Sequence, residues 1–343
     1  MPPQKKVLLS SHTTMRVGGP AHFFSEIHDD KELPELLSFA REHKLPVFFL
    51  GEGSNILIGD KGFQGLVLKL ATKGISFSDS SPNEVVVLAE AGENWDHLVE
   101  ETVRRGLHGL ENLSAIPGSV GAAPVQNIGA YGAEVKETVA FVEVFDTKTG
   151  EIRKLSNSEC CFDYRDSIFK HDEGKHLVVL RVGFLLKKDA PLKTHYKDVA
   201  EYMKAHDIKN PTLEDMRAIV RDIRRKKLPD WGKVGTVGSF FKNPVISKEQ
   251  YQSLLERFPE MPGIESPGDK IKIPLAWVID TVCGFKGMRR GGIGIHERQA
   301  LVVVNYDGGT AAEIRALADE IIASVFEKTG LRIEPEVSYI GEF

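Results

Sequence analysis

The chain has 343 residues, 41% of them hydrophobic and 27% charged, with a formal net charge of −5. That length and composition fit a globular protein of two or three domains, and the acidic balance excludes the basic footprint of a nucleic-acid binder. No segment approaches the run of roughly 20 apolar residues needed to span a membrane, and Val7-Leu8-Leu9 near the N-terminus is too short for a signal peptide. Cys160, Cys161 and Cys283 form neither a metal spacing nor an even disulfide framework. The expectation is a cytoplasmic chain, with no metal, no membrane insertion and no nucleic-acid partner.

In chain order, Asp30 opens a helix with Leu33, Leu36, Leu37 and Ala40 on one face, ending before Leu45-Pro46. Val47–Leu50, Leu66–Leu68 and Glu84–Ala89 read as strands. Asn94 is an N-cap ahead of Leu98, Val99 and Val103, with Gly106 as the stop. Val139–Val144 and Leu177–Leu186 are further strands. Thr212 starts an amphipathic helix whose stripe is Met216, Ile219, Val220 and Ile223. It closes on Arg224-Arg225-Lys226-Lys227, where positive charge suits the C-terminal dipole. The remainder reads as a separate unit. Ser247 with Gln250 and Thr310 with Glu313 form capping boxes. Pro274 starts a helix carrying Leu275, Val278, Ile279 and Val282, stopped by Gly284. Val302–Val304 and Leu331–Ile333 are strand candidates, and Ile314, Leu317, Ile321 and Val325 line the final helix.

Two glycine-rich loops interrupt this pattern. Gly51-Glu52-Gly53-Ser54-Asn55 follows a strand and by itself reads equally as a tight turn or an anion loop. It lacks the Gly-Lys-Ser/Thr of a Walker loop and the third glycine of a Rossmann fingerprint. The second, Ser114 to Gly132, holds four glycines and almost no charge, and it is longer than most connections between elements. Glycine has no Cβ, so successive N–H groups can converge on an anion. The pair points to a large phosphate-bearing ligand, with Gln126, Asn127 and Tyr131 as polar groups suited to a ring or ribose edge.

Four other stretches mix chemistry with turn residues. Phe162-Asp163-Tyr164-Arg165-Asp166-Ser167 reads by itself as a surface turn with Arg165 paired to a neighbouring aspartate. Gly235 to Pro244 brings a hydroxyl, an ammonium and an amide beside two glycines, a mixture suited to a polar site. Ile333-Glu334-Pro335-Glu336-Val337 carries glutamates that are by default solvated at a strand end. The glycine-rich Gly284–His296, with Lys286, Arg289 and Arg290, reads as a mobile surface loop.

Taken together and in order, Thr14–Pro20, Gly51–Asn55, Ile116–Gly121, Tyr164–Ser167, Gly238–Pro244 and Glu334–Val337 resemble the UDP-N-acetylenolpyruvoylglucosamine reductase family. The resemblance covers nearly the whole chain. It implies an α+β architecture: a flavin-binding fold of the vanillyl-alcohol-oxidase (PCMH) type, built from two subdomains (residues 1–70, and 71–228 with 331–343), plus an α+β substrate-binding domain (residues 229–330). FAD is the implied cofactor and NADPH the implied co-substrate. Gly51, Gly53, Ser54, Asn55, Pro117, Gly118, Ser119, Gly121, Ala122, Gln126, Asn127, Gly129, Ala130 and Tyr131 are the implied cofactor-binding residues. Tyr196, in an insert over residues 190–210, looks like the substrate-capping tyrosine of the longer family type.

The implied reaction reduces the enolpyruvyl ether of a UDP-sugar to UDP-N-acetylmuramate, in peptidoglycan synthesis. Hydride from reduced flavin adds to the terminal alkene carbon, and charge spreads into the conjugated carboxylate. That charge needs stabilisation and the carbon needs a proton. By the resemblance, Arg165 and Glu336 flank the carboxylate and Ser239 is the acid. Arg165 can meet carboxylate oxygens bidentately; Glu336 helps only if protonated or sharing a proton, which calls for a raised pKa. Tyr164, Lys227, Asn243 and Gln299 match substrate-binding positions. Arg224, Arg225 and Lys226 are left to helix capping. A monomer is expected, although nothing in the sequence fixes the oligomeric state. The rival readings are another FAD-dependent oxidoreductase of the same fold, which need not share Arg165, Ser239 and Glu336, and a non-catalytic nucleotide-binding protein.

Overall fold

A computed structural model describes residues 2–343. The chain forms two compact units. The first comprises the segment up to Val7, His22–Glu52 and Gln64–Lys226; the second comprises Leu8–Ala21, Gly53–Phe63 and Lys227–Phe343.

The first unit contains two sheets. One has the strand order Gln4–Leu8, Pro20–Ile27, Phe63–Leu70, Val47–Leu50, its last pair parallel. The other is antiparallel, in the order Ile152–Ser156, Val139–Asp146, Leu177–Lys187, Glu84–Glu90, Ile75–Ser81. Helix α1 (Leu33–Glu42) buries Leu33, Leu36, Leu37 and Ala40 against Ile27, Leu66 and Leu68. That core also takes Phe145, Val178 and Leu180 from the antiparallel sheet. The intervening Val144 and Val179 belong to the other core, with helix α2 (Trp95–Arg104) and its Trp95, Leu98, Val99 and Val103. Alternate side chains of the central strands thus enter different cores. This is why Leu177–Leu180 is an unbroken apolar run and not an alternation.

Two more helices complete this unit. α3 (Lys197–Ala205) falls in the 190–210 insert, and no helix was expected there. α4 (Leu213–Lys227) carries the expected stripe, and Met216, Ile219 and Ile223 pack with Val199 of α3.

In the second unit, an antiparallel sheet runs Gly235–Ser239, Val302–Asn305, Ile293–Ile295, Arg289–Arg290. A smaller one runs Val245–Ser247, Lys270–Lys272, Ile264–Ser266. Helix α5 (Lys248–Arg257) starts with the Ser247/Gln250 capping box. The final helix, α7 (Ala311–Thr329), starts with that of Thr310/Glu313 and is stopped by Gly330 at φ +74°. Between them, α6 (Leu275–Trp277) passes at once into a π-helical turn, Val278–Val282. The expected regular helix is therefore widened there, with Cys283 N–H reaching back five residues to the Val278 carbonyl at 3.0 Å.

Leu331–Ile333 does not form the expected strand. It forms no ladder, and Leu331 and Ile333 are held by burial in the core of this unit. The true C-terminal strand is Ser338–Ile340, parallel to Ile56–Ile58. Among the described residues no helix is long and apolar enough to cross a membrane, no group of three or more His, Cys, Asp or Glu could hold a metal, and the three cysteines are free thiols.

Candidate active site

In the first unit the glycine-rich segment is laid across the start of α2. Asn94 caps the helix through His97 N–H at 3.0 Å. Around it, Trp95 N–H donates to the Gly118 carbonyl at 3.0 Å, Val120 N–H to Glu93 at 2.9 Å and Gly121 N–H to Ala91 at 2.9 Å. The segment comes so close that a Cβ on Gly121 would lie 2.6 Å from the Ala91 Cβ. Gly118, at φ +137°, adopts a backbone that only glycine takes easily. The first loop meets the same segment: a Cβ on Gly51 would fall 2.5 Å from the Ser119 Oγ. The two glycine loops singled out in the sequence therefore converge at Gly51 and Ser119.

Ala115, Asn127, Tyr131 and Arg165 all have φ between +45° and +57°. Left-handed backbone at non-glycine residues persists only where the surroundings enforce it. At Ala115 the N–H donates to Asp96 Oδ1 at 2.6 Å and the carbonyl accepts from Arg224 Nε at 3.1 Å. Asp96 is in turn gripped by Arg217 at 2.6 and 3.2 Å. Burial pushes the Asp96 carboxyl up, but Arg217 and the Ala115 N–H outweigh it and hold the pKa below its usual value. Asn127 is fully buried; its amide donates to Glu134 Oε2 at 3.0 Å and to the Asp163 carbonyl at 2.9 Å, and its Oδ1 accepts from Lys136 N–H at 3.1 Å. A side chain so engaged serves the loop's shape, which the reading of Asn127 as a ring or ribose contact did not anticipate.

Asp163 and Asp166 exchange main-chain hydrogen bonds at 3.1 and 3.2 Å, so Tyr164 and Arg165 form the tip of a tight hairpin. Arg165 is not simply the partner of a neighbouring aspartate. Its guanidinium donates to the carbonyls of Gly129 at 2.6 Å and Asn127 at 3.4 Å, while Asp166 pairs with His171 at 2.8 Å. A Cβ on Gly129 would sit 2.8 Å from Arg165 Nη1, so a larger residue here would push the guanidinium aside. Ser167 Oγ adds a bond of 2.5 Å to the Val125 carbonyl. Arg165 is thus brought together with the loop carrying Gln126, Gly129, Ala130 and Tyr131.

Tyr196 immediately precedes α3 and remains 45% exposed, its ring edge-on to Tyr131 with centroids 5.5 Å apart. Burial raises the Tyr196 phenol pKa and pushes that of Tyr131 up to about 12. Tyr131 also shares a hydrogen bond with Arg224, a cation whose own pKa burial lowers. Asn112, 1% exposed, ties this region together by donating to the Tyr131 carbonyl at 2.8 Å and to the Lys193 carbonyl at 2.9 Å.

Asn112, Arg217 and Arg224 were not found from the sequence. The available signal was spacing: Arg217 and Arg224 are seven residues apart, so they share a face of α4.

In the second unit, the strand Gly235–Ser239 pairs Thr236 with Val304 and then Ser239 with Val302, a register shift that marks a bulge. Gly238 within it has φ +75°. Bulges of this kind bend a strand and re-aim a side chain. Ser239 is exposed between buried Val237 and Phe240. Next to it, Glu336 N–H donates to the Phe240 carbonyl at 2.8 Å, and Lys242 N–H to the Glu334 carbonyl at 3.1 Å. Ser239 and Glu336, distant in sequence, thus lie on paired segments of one unit.

The other expected residues of this unit are more dispersed. Asn243 Oδ1 caps α6 by accepting Leu275 N–H at 2.9 Å. Gln299 is half-buried in the turn before Val302–Asn305, its N–H on the His296 carbonyl at 3.3 Å. Lys227 is half-buried at the end of α4. Gly53, at φ +64°, is sealed by the His12 carbonyl, 2.3 Å from where a Cβ would be.

Comparison with known proteins places these features in one family. Residues 21–156 match a family model described as FAD binding domain, and residues 230–340 match one described as UDP-N-acetylenolpyruvoylglucosamine reductase, C-terminal domain. Over 329 residues, 96% of each chain, the protein is 44% identical to the UDP-N-acetylenolpyruvoylglucosamine reductase of Chromobacterium violaceum. It is 39% identical over 333 residues, 97% of each chain, to that of Pseudomonas aeruginosa. The crystal structure of the Thermus caldophilus UDP-N-acetylenolpyruvylglucosamine reductase superposes with a TM-score of 0.67 at 27% identity, covering 99% of this chain and 100% of that one. With its α+β flavin-binding fold and its C-terminal domain both matched, the chain belongs to the UDP-N-acetylenolpyruvoylglucosamine reductase family.

Proposed function

We propose that this chain uses NADPH to reduce UDP-N-acetylenolpyruvoylglucosamine to UDP-N-acetylmuramate in the cytoplasm, a step of peptidoglycan synthesis. The chain is a flavin-dependent oxidoreductase by family, a UDP-N-acetylmuramate dehydrogenase. The residues present fit FAD. Gly51 and Gly121 leave no room for a Cβ, so backbone is exposed where a pyrophosphate needs close approach. Among the described residues no protein group takes the main-chain N–H of Glu52, Gly53 or Ser54. Gly51–Asn55, through their main chain, and Pro117–Tyr131 would hold the cofactor, within FAD-binding subdomains over residues 1–70 and 71–228 with 331–343.

FAD, when bound, supplies the hydride that adds to the terminal carbon of the enolpyruvyl double bond. The chain's own groups do the rest. Arg165, fixed on the Gly129 carbonyl, offers a permanent cation to the substrate carboxylate, which takes up charge as the double bond is lost. Ser239 holds the proton that the adjacent carbon must receive. Its hydroxyl is a weak acid, but a carbanion-like centre is basic enough to accept from it. Glu336 meets the same carboxylate. Tyr164, Tyr196, Lys227, Asn243 and Gln299 bind the sugar nucleotide. The observation that carries this reading is the Glu336–Phe240 main-chain bond, which keeps the proton donor and the glutamate on neighbouring segments.

The test is turnover. Purified protein should carry flavin absorbance and oxidise NADPH only when UDP-N-acetylenolpyruvoylglucosamine is supplied. A flavin-loaded protein that leaves this substrate unreduced would overturn the reading.

A further inference from the structure

Asn55 ends the first glycine loop and was expected to bind cofactor with it. One amide hydrogen of Asn55 goes to the main-chain carbonyl of Glu336, at 3.2 Å. The main-chain carbonyl of Asn55 accepts the N–H of Ser338 at 3.1 Å. Both contacts lie within the second unit.

The segment carrying Glu336 lies against the Phe240 segment, with Lys242 N–H on the Glu334 carbonyl at 3.1 Å and Phe241 bridged to Pro335. Leu331–Ile333 forms no ladder, and Pro335 has no N–H to give. The Glu336 N–H is held by the Phe240 carbonyl at 2.8 Å, one residue beyond Ser239. Its carbonyl is held by Asn55. A hydrogen bond therefore anchors the peptide unit on each side of the Glu336 Cα, and one of these two anchors is a side chain. Asn55 itself is fixed, because the next residues, Ile56–Ile58, are paired in parallel with Ser338–Ile340.

We infer that Asn55 is a positioning residue for Glu336, setting the peptide from which the glutamate side chain reaches the substrate. The inference rests on the reading above that Glu336 acts in the reaction. A residue at the end of the cofactor loop then determines the placement of a group that works on substrate.

The experiment uses the flavin-loaded enzyme with Asn55→Ala, Glu336→Gln and the double variant. Flavin content, kcat, KM for UDP-N-acetylenolpyruvoylglucosamine and the pH profile of kcat are measured. Asn55→Ala should keep its flavin and lose about 10- to 100-fold in kcat, the scale expected when a reacting group is displaced by an ångström. KM should move far less than kcat, and the limb of the pH profile that Glu336→Gln abolishes should shift. Added to Glu336→Gln, Asn55→Ala should cost no more than about twofold further, since coupled residues are not additive.

Loss of flavin, or a kcat loss that multiplies in full in the double variant, would overturn the inference and leave Asn55 a cofactor ligand. If Glu336→Gln alone leaves kcat unchanged, it is the role of Glu336 that fails. Should Asn55→Ala fold poorly, Asn55→Asp keeps the shape and replaces the donor with an acceptor facing the carbonyl. It should show the same coupled loss in kcat, and an unchanged kcat would equally refute the role.

Discussion

Arg224 donates its Nε–H to the carbonyl of Ala115 at 3.1 Å, at the point where the chain enters the longer glycine-rich segment. Ala115 stands at φ +57°, and the Asp96 carboxylate holds its N–H at 2.6 Å. A non-glycine residue in this region carries about 1–3 kcal/mol of strain. A charge-assisted hydrogen bond on each side offsets it. The loop's geometry thus depends on two side chains outside it in sequence, and one of its arginine contacts comes from a run whose local appearance is that of a helix terminus.

Replacing Arg224 with Lys retains the charge but not the guanidinium that reaches both Ala115 and the Tyr131 hydroxyl. A hydrogen bond to a charged group contributes about 1.5–3 kcal/mol. Arg224→Lys should therefore weaken FAD binding by about tenfold or more. Titration of FAD into apo-protein, followed by flavin fluorescence, measures this. An unchanged Kd would show that the loop keeps its shape without Arg224.

The convergence of the glycine loops makes a paired prediction. Gly51→Ala places a Cβ 2.5 Å from the Ser119 Oγ, and Ser119 is only 3% exposed. Overpacking of this kind costs about 1–3 kcal/mol. The next contact of that Cβ is at 3.7 Å, an ordinary separation. Gly51→Ala should lower the Tm of the apo-protein, and Ser119→Ala added to it should restore most of the loss. If the double variant is as unstable as Gly51→Ala, the clash with the Ser119 hydroxyl is not the reason for glycine at this position.

Most of the regular elements of the fold are legible because their signals are local. Asn94, Ser247 and Thr310 cap helices within their own first turn. The stripes of α1, α4 and α7 need only periodicity. The exceptions have non-local causes. Leu331–Ile333 has the apolar residues of a strand but finds no partner for a ladder, because the following chain pairs instead through Ser338–Ile340. The π turn after α6 carries an i, i+3, i+4 pattern that cannot be told from an α-helix by spacing. The glycine loops are visible as composition, and the motifs single out Arg165, Ser239 and Glu336 as candidates. Nothing in composition indicates that Asn127 supports a loop, that Asn243 caps a helix, or that Asn112 bridges Tyr131 and Lys193. Those contacts exist only once segments distant in sequence have folded together.

Asp96 makes the stability of the first unit sensitive to acid. Its folded pKa is lowered, since Arg217 and the Ala115 N–H overcome the opposing effect of burial. The contribution of a depressed carboxyl is fully present above its unfolded pKa of about 4 and is lost as pH falls through the lower folded value. Asp96→Asn should be less stable than the parent at neutral pH by about 1–3 kcal/mol, as expected for a hydrogen-bonded charge. Glu100, 3.7 Å from Arg217, remains to compensate part of the loss. The gap in Tm between the two proteins should narrow from pH 4 downward. A gap constant from pH 7 to pH 2 would mean that Asp96 does not titrate as part of the folded clamp.

Ser239 is the proposed proton donor. It lies in the second unit, on the bulge opened by Gly238, and it is exposed while its neighbours Val237 and Phe240 are buried. Removing its hydroxyl deletes no core packing and leaves the Phe240 carbonyl free to hold Glu336. Ser239→Ala should therefore keep the parent Tm and flavin content. Reduction of the bound flavin by NADPH involves no proton from Ser239, so that half-reaction should stay within about threefold of the parent. Reoxidation by UDP-N-acetylenolpyruvoylglucosamine should fall by about 10² to 10⁴, the usual worth of a positioned general acid. Stopped-flow absorbance of the flavin resolves the two steps. Ser239→Cys restores a proton donor and should recover part of the second step. Equal losses in both half-reactions, or no recovery by cysteine, would assign Ser239 to positioning of ligands and leave the proton to another group.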